Sequence, residues 1–314
     1  MNDISMSATP RWRYRVVHET SYRYQSPVTL SHQLLHLTPR QTAFQNTEAH
    51  QITVDVPLDE FVDNLDYFGN PTRRFVTTQA HRKLLVRAES TLILGARPQL
   101  AQLKATPPWE SLRDSLQLVQ QSRSPILHEA CRYLYESPHV RWSSALERFA
   151  SASFLPRRPL LEAAFDLTRH IFTDFEFDNS ATTISTPLEK VFEVRKGVCQ
   201  DFAQLMIGCL RSLGLPARYV SGYLLTHPPA GQARMIGADA SHAWVSVYCP
   251  VLGWVDFDPT NGCLVQKEHI SLGWGRDFSD VTPMRGVVLG GGEQQLQVNV
   301  TVTPLVAQNL TSVA

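Results

Sequence analysis

Between Trp12 and about Ile93 the chain alternates apolar and polar residues, and near residue 96 that alternation stops. The segments "RYRVVHETSYRYQSPV", "HQITVDVPLDEF", "LDYFGNPTRRFVTTQ" and "RKLLVRAESTLIL" are rich in Val, Thr, Tyr and Phe and are broken by Pro or Gly-Asn. A period of two with such breaks predicts strands that bury one face, hence an antiparallel β domain over residues 1–100. His18, His32, His36, His50 and His81 are scattered through it without metal-ligand spacing, so they read as structural or surface groups.

The stretch "ARPQLAQLKATPPWESL" then concentrates Pro and has the texture of a connection, followed by helical signals. Residues 101–158 are therefore expected to form a helical linker region. Ser124 before Pro125 has the chemistry of a helix start, and "RPLLEAAFDLTRHIF" repeats apolar residues at helical spacing. In "STPLEKVFEVRKG", Thr186 and Glu189 have capping-box spacing, and Gly197 is expected at a left-handed stop.

The next helix predicted opens at Cys199, with Phe202, Leu205 or Met206, Cys209, Leu210 and Leu213 on one face and a stop at Gly214-Leu215-Pro216. The runs "ARYVSGYLL", "SHAWVSVYC" and "GWVDFDP" then read as strands of a second, mostly antiparallel sheet. In the tail, Leu296, Val298, Val300 and Val302 alternate as a half-buried strand. The whole is α+β, in four segments: 1–100, 101–158, a core over 159–265, and a C-terminal loop and strand over 266–314.

Composition narrows the partners. The 314 residues carry 29 basic and 29 acidic side chains, a balance that points to neither a nucleic-acid nor a membrane partner. The N-terminus has no signal-like apolar core and no stretch reaches transmembrane length, so a cytoplasmic location is expected. Five cysteines without regular spacing disfavour a disulfide framework or paired zinc ligands. The thiols are then reduced, and one is free for chemistry.

Cys209 falls on the apolar helix face and reads as packing, whereas Cys199 falls at the helix start, where unpaired backbone donors favour a thiolate. A nucleophilic thiol needs a base, and the base an orienting group. His242, Trp244 and Ser246 share one face of their strand; Trp254, Asp256 and Asp258 share one face of the next. Pairing the two through the short turn at "CPVLG" makes His242 and Asp258 neighbours. Each residue alone has an ordinary structural reading; a thiol, an imidazole and a carboxylate in this arrangement form a candidate catalytic triad.

The segment from about Pro159 to Gly262 resembles the transglutaminase-like (papain-like) core, on "RKGVCQDFAQL", "GLPARYVSGY", "SHAWVSVY" and "GWVDFDPTNG". The segment "TSYRYQSPVTLSHQLLHLTPR" resembles the β domain preceding this core in bacterial transglutaminase-like proteins, and "GRDFSDVTPMRGVVLGGG" their C-terminal section. The resemblance implies Cys199 as nucleophile, His242 as general base and then acid, and Asp258 as orienter, with Asp256 the lesser candidate. It implies acyl transfer through a thioester on a peptide, isopeptide or glutamine-type amide, hydrolytic if water is the acceptor and transamidating if an amine is. A non-catalytic peptide-binding module is the reading from another class. No cofactor is expected, and no acidic cluster resembles a calcium loop. The relatives' gene context implies an ATP-grasp-type ligase and a small helical protein as partners. Trp244 and Trp254 are candidate substrate-binding residues, with sheet-core packing the alternative; Arg276, Asp277, Asp280 and Arg285 suit a salt-bridge network better than a substrate contact. The loop from Thr226 to Ala240 is a candidate lid.

Overall fold

The computed structural model describes residues 11–118, 124–226 and 240–305. The alternation at the start of the chain becomes β1 (Arg11–Leu35), β2 (Gln45–Val54), β3 (Glu60–Leu65), β4 (Pro71–Thr77) and β5 (His81–Gly95). These pair antiparallel in the order β2-β5-β1-β4-β3. The hairpin between β3 and β4 turns at Gly69, whose φ of +74° suits glycine, while Asp66 accepts from the backbone N–H groups of Phe68 and Asn70.

Among the described residues seven α-helices follow: α1 (Leu100–Leu103), α2 (Trp109–Gln117), α3 (Pro125–Cys131), α4 (Ser144–Ser151), α5 (Leu160–Asp174), α6 (Leu188–Val194) and α7 (Cys199–Ser212). Ser124 caps α3 as expected, accepting from the Leu127 N–H. The segment expected as a linker places Leu103, Trp109, Leu112, Leu116 and Leu146 in the same buried cluster as α5 and α7. Each such side chain, taken out of water, stabilises the fold by roughly 1.5–3 kcal/mol.

Two-residue strands β6 (Glu176–Phe177) and β7 (Lys196–Gly197) pair in parallel just before α7. The second sheet comprises β8 (Ala217–Leu224), β9 (Ala240–Cys249), β10 (Gly253–Asp258), β11 (Cys263–Leu264) and β12 (His269–Gly275). It is antiparallel, in the order β11-β10-β9-β8-β12. Helix α7 packs on it, and every residue from Asp201 to Arg211 is buried. The sequence pattern marks only one apolar face; α4 and α6 cover much of the rest. Gly208 permits this, because a Cβ there would lie 2.8 Å from Leu146. Arg211 is buried too, and its guanidinium donates to the carbonyls of Tyr133, Tyr135, Ala217 and Arg276.

The C-terminal strands β13 (Met284–Gly290) and β14 (Gln294–Leu305) return to the first sheet and flank β1. The alternating valines of β14 thus pair with the N-terminal strand, with Val300 and Val302 buried and Val298 and Leu296 exposed. Two side-chain amides join the sheets by mimicking a strand partner of β12. Gln45 bonds both the N–H and the carbonyl of Ser271, and Asn70 does the same to Trp274. Among the described residues no helix is long and apolar enough to cross a membrane.

Candidate active site

Cys199 opens α7, where first-turn N–H groups have no intrahelical acceptor. The approach to it is fixed by Asp201, whose Oδ2 accepts from the Val198 N–H at 2.9 Å and from the Thr182 hydroxyl at 2.6 Å. A Cβ on Gly197 would lie 2.7 Å from that carboxylate oxygen. Close approach to Asp201 therefore requires Gly197, not the left-handed stop expected of it. The left-handed residue is Arg195, at φ 58°. Its guanidinium is held by the rings of Phe149, Phe175 and Phe192. The expected Thr186 cap is also displaced: the helix start is Pro187, and the Thr186 hydroxyl instead accepts from the Thr183 N–H.

Strands β9 and β10 pair through a turn at Gly253, with Trp254 opposite Tyr248 and Asp256 opposite Ser246. This register carries Asp258 beside His242, whose Nε2 lies 2.7 Å from Asp258 Oδ2. Cys199 is the second group, after Asp258, whose hydrogen bonding and charge favour the protonated form of His242. The three predicted residues are thus brought together, with Nε2 turned to the carboxylate and Nδ1 left for the thiol.

Asp258 is fully buried and its carboxylate is surrounded by donors. Oδ2 accepts from His242, from His269 Nε2 at 3.0 Å and from Asn261 Nδ2 at 2.7 Å. Oδ1 accepts from the N–H groups of Thr260 and Asn261. Burial alone would raise the pKa of this acid, but the hydrogen bonds from His242 and His269 and the charge of His242 hold it well below the usual carboxylate range. An ionised carboxylate only accepts, so both imidazoles present an Nε2–H to it. For His242, burial opposes the proton, but bonding to Asp258 and Cys199 and their charges outweigh it and raise the pKa. For His269, burial prevails and lowers it. Its Nδ1 has no partner, the arrangement of a neutral ring.

His242, Asp258 and His269 also form the one group of metal-capable side chains among the described residues, with ligand atoms within 4.8 Å. The shared oxygen is occupied by three N–H donors, and both histidine contacts are hydrogen bonds in length, so the group reads as a proton-bridged network.

His269 and Asn261 are the participants that the sequence reading does not single out. Asn261 lies inside the quoted "DPTNG"; His269 lies in a strand-like run beyond the expected core. The remaining candidates fall elsewhere. Asp256 forms an ion pair with Arg97 at 2.7 Å. Trp244 is wholly buried, packs with Val220 and Val265, and requires Gly222 beside it, the placement of a core residue. Trp254 stacks on Arg218 and borders a separate cavity. In the tail, Arg276 pairs with Asp280, Asp277 accepts the His139 N–H, and Arg285 donates to the Ser279 carbonyl. These contacts tie the loop to itself and, through Asp277, to the helical region at His139. Residues 227–239 of the expected lid lie outside the described residues. The five N-terminal histidines form no metal cluster among the described residues.

A thiol at a helix start, facing a strand-borne imidazole and carboxylate, defines the papain-like class of thiol folds. Sequence comparison identifies the branch: residues 14–92 match the bacterial transglutaminase-like N-terminal region, and residues 150–259 match the transglutaminase-like superfamily. An uncharacterized protein of Mycobacterium tuberculosis is 39% identical over 310 residues, covering 96% of each chain. The chain belongs to the transglutaminase-like superfamily. A protein-glutamine gamma-glutamyltransferase of Pseudomonas aeruginosa is 39% identical over 71 residues, 22% of this chain and 11% of that one. A solved structure from Cytophaga hutchinsonii, whose name proposes a cysteine protease, superposes with a TM-score of 0.73 at 20% identity, covering 95% of this chain and 92% of that one. At that identity the likeness concerns the fold.

Proposed function

We propose that the protein is a thiol-dependent amide hydrolase that works through an acyl thioester on Cys199. The observation that carries this reading is the placement of one imidazole, His242, between the Cys199 thiol and the ionised Asp258. In the first half-reaction Sγ attacks a carboxamide or peptide carbonyl carbon, the C–N bond breaks, and the departing nitrogen takes the proton held by His242. In the second, His242 removes a proton from water as it attacks the thioester, and the acid leaves with the thiol restored. The Cys199 backbone N–H, free of intrahelical bonding, suits the oxyanion.

Transamidation shares the same thioester and differs only in using an amine in place of water; the local similarity to the Pseudomonas transferase favours it as the second reading. The test is mass spectrometry of a mixed peptide pool incubated with the protein, with and without a primary amine, and with Cys199→Ala as control. Cleaved or deamidated peptides that depend on Cys199 establish hydrolysis. Amine adducts establish transamidation. Thiol alkylation completes the test: a Cys199 that labels no faster than the other accessible cysteines, in protein that leaves the pool unchanged, identifies a binding module.

A further inference from the structure

Two arginines are buried in the core and are treated oppositely. Arg211, 2% exposed, spends its donors on main-chain carbonyls. Arg218, 6% exposed, has its guanidinium carbon 4.2 Å from the ring centre of Trp254 and 3.7 Å from that of Trp274, and its Nε has no hydrogen-bond partner. The Trp274 Nε1 and the Oγ of Ser246, which stands opposite Arg218 in the strand register, are also unpartnered. A buried donor without an acceptor costs about 1–3 kcal/mol, so several around one cation call for a ligand that supplies acceptors.

Arg218 lines a cavity of about 320 Å³ between the two sheets, bordered also by Thr42, Arg97, Trp254, Ser271 and Trp274. Both tryptophans are half-buried, which leaves the cavity a route to solvent. Two guanidinium groups and a single carboxylate, Asp256, stand on its wall, and Asp256 is already paired with Arg97. The wall therefore carries one positive charge in excess. Ring stacking occupies the faces of the Arg218 guanidinium, so what remains open is its edge, where N–H donors lie in plane. A flat acceptor with two oxygens fits that edge and the slot between two indoles; a carboxylate has this shape and a tetrahedral anion does not.

We propose that this cavity is a binding site for a small carboxylate, its two oxygens in the plane of the Arg218 guanidinium and its alkyl part against Trp254 and Trp274. The site lies on the sheet face that carries Asp258, two residues along β10 at Asp256, and it is separate from Cys199. Binding there does not require the thioester chemistry, so it is measured on the whole chain carrying Cys199→Ala.

Thermal unfolding and calorimetric titration are followed with four probes at constant ionic strength: glutarate, its neutral analogue glutaramide, N-acetyl-alanyl-alanine and the amide of that dipeptide. A carboxylate probe at 10 mM is expected to raise the midpoint by about 3 °C, and its neutral counterpart to have no effect. Preference for glutarate assigns the site to a free small acid, and preference for the dipeptide to a peptide C-terminus; either supports the proposal. Arg218→Gln removes the guanidinium but risks the fold, so the decisive variant is Ala43→Glu. Ala43 is an exposed residue of the cavity wall, and a carboxylate there competes for the site from within. Loss of the probe's effect in that variant is the supporting result. No shift in the parent protein, equal shifts from the amides, or a shift that survives Ala43→Glu overturns the assignment.

Discussion

His18 in the N-terminal sheet and His242 in the core sheet are the same side chain at similar depth, 1% and 7% exposed, yet their affinities for a proton move in opposite directions. His18 faces two hydroxyls, Thr20 at 2.8 Å and Tyr223 at 3.0 Å, and burial pushes its pKa down to about 4. His242 faces a carboxylate and a thiol, which outweigh the same burial and push its pKa up. Depth therefore does not make a histidine functional. Hydroxyls supply dipoles that satisfy a neutral ring, whereas Asp258 supplies a full charge that rewards the protonated one. The first histidine joins the sheets; the second is equipped to hold a proton and hand it on.

The largest way to break this contrast is to remove the charge and keep the shape. Asp258→Asn is expected to lower kcat by about 10²–10⁴. With the carboxylate gone, the His242 pKa falls, so the alkaline limb of the pH–rate profile should move to lower pH. A profile whose alkaline limb stays in place would show that Asp258 does not set the proton affinity of His242.

The His18 side of the comparison predicts a stability effect without a catalytic one. Its folded pKa, about 4, lies below the unfolded value of about 6.5, so the unfolded chain binds the proton first. The corresponding stability is fully present above pH 6.5 and is lost as pH falls toward 4; between pH 7 and 5 the loss is about 2 kcal/mol. Urea unfolding at the two pH values measures it. In His18→Asn this part of the pH dependence should vanish while kcat at pH 7 is unchanged. Equal slopes in the two proteins would mean that His18 is already protonated, or not buried, in the folded chain.

How much of this was legible in the sequence depended on the range of the interactions. Period-two alternation and the turn at "CPVLG" are local, and they suffice to put His242 beside Asp258, because a hairpin's register follows from its connection. The Cys199 helix is local as well. Harder to read was anything set by what packs on top: the burial of α7 on all sides, Gly197 yielding to Asp201, and Trp244 passing into the core instead of a substrate-facing position. The return of β13 and β14 to β1 pairs residues about 250 or more positions apart, which no local pattern encodes.

His269 is the case in which that long range matters for chemistry. It sits on β12, which joins the sheet beside β8 at the far edge from β11, so its approach to Asp258 depends on the strand order β9-β8-β12. Its neutral ring donates one N–H to the oxygen that also receives His242, which both orients the carboxylate and helps keep it ionised. His269→Phe removes that donor and is expected to lower kcat about tenfold with KM little changed, the pattern of a group that acts on geometry and not on substrate binding. Four other donors remain on Asp258, which is why the effect is smaller than that of Asp258→Asn. His269→Gln returns an N–H near the position of Nε2 and should recover most of the rate, while the acid limb of the profile, raised in the Phe variant, returns toward that of the parent. A Phe variant that is merely less stable, with both limbs and kcat unmoved, would reduce His269 to packing beside Trp244.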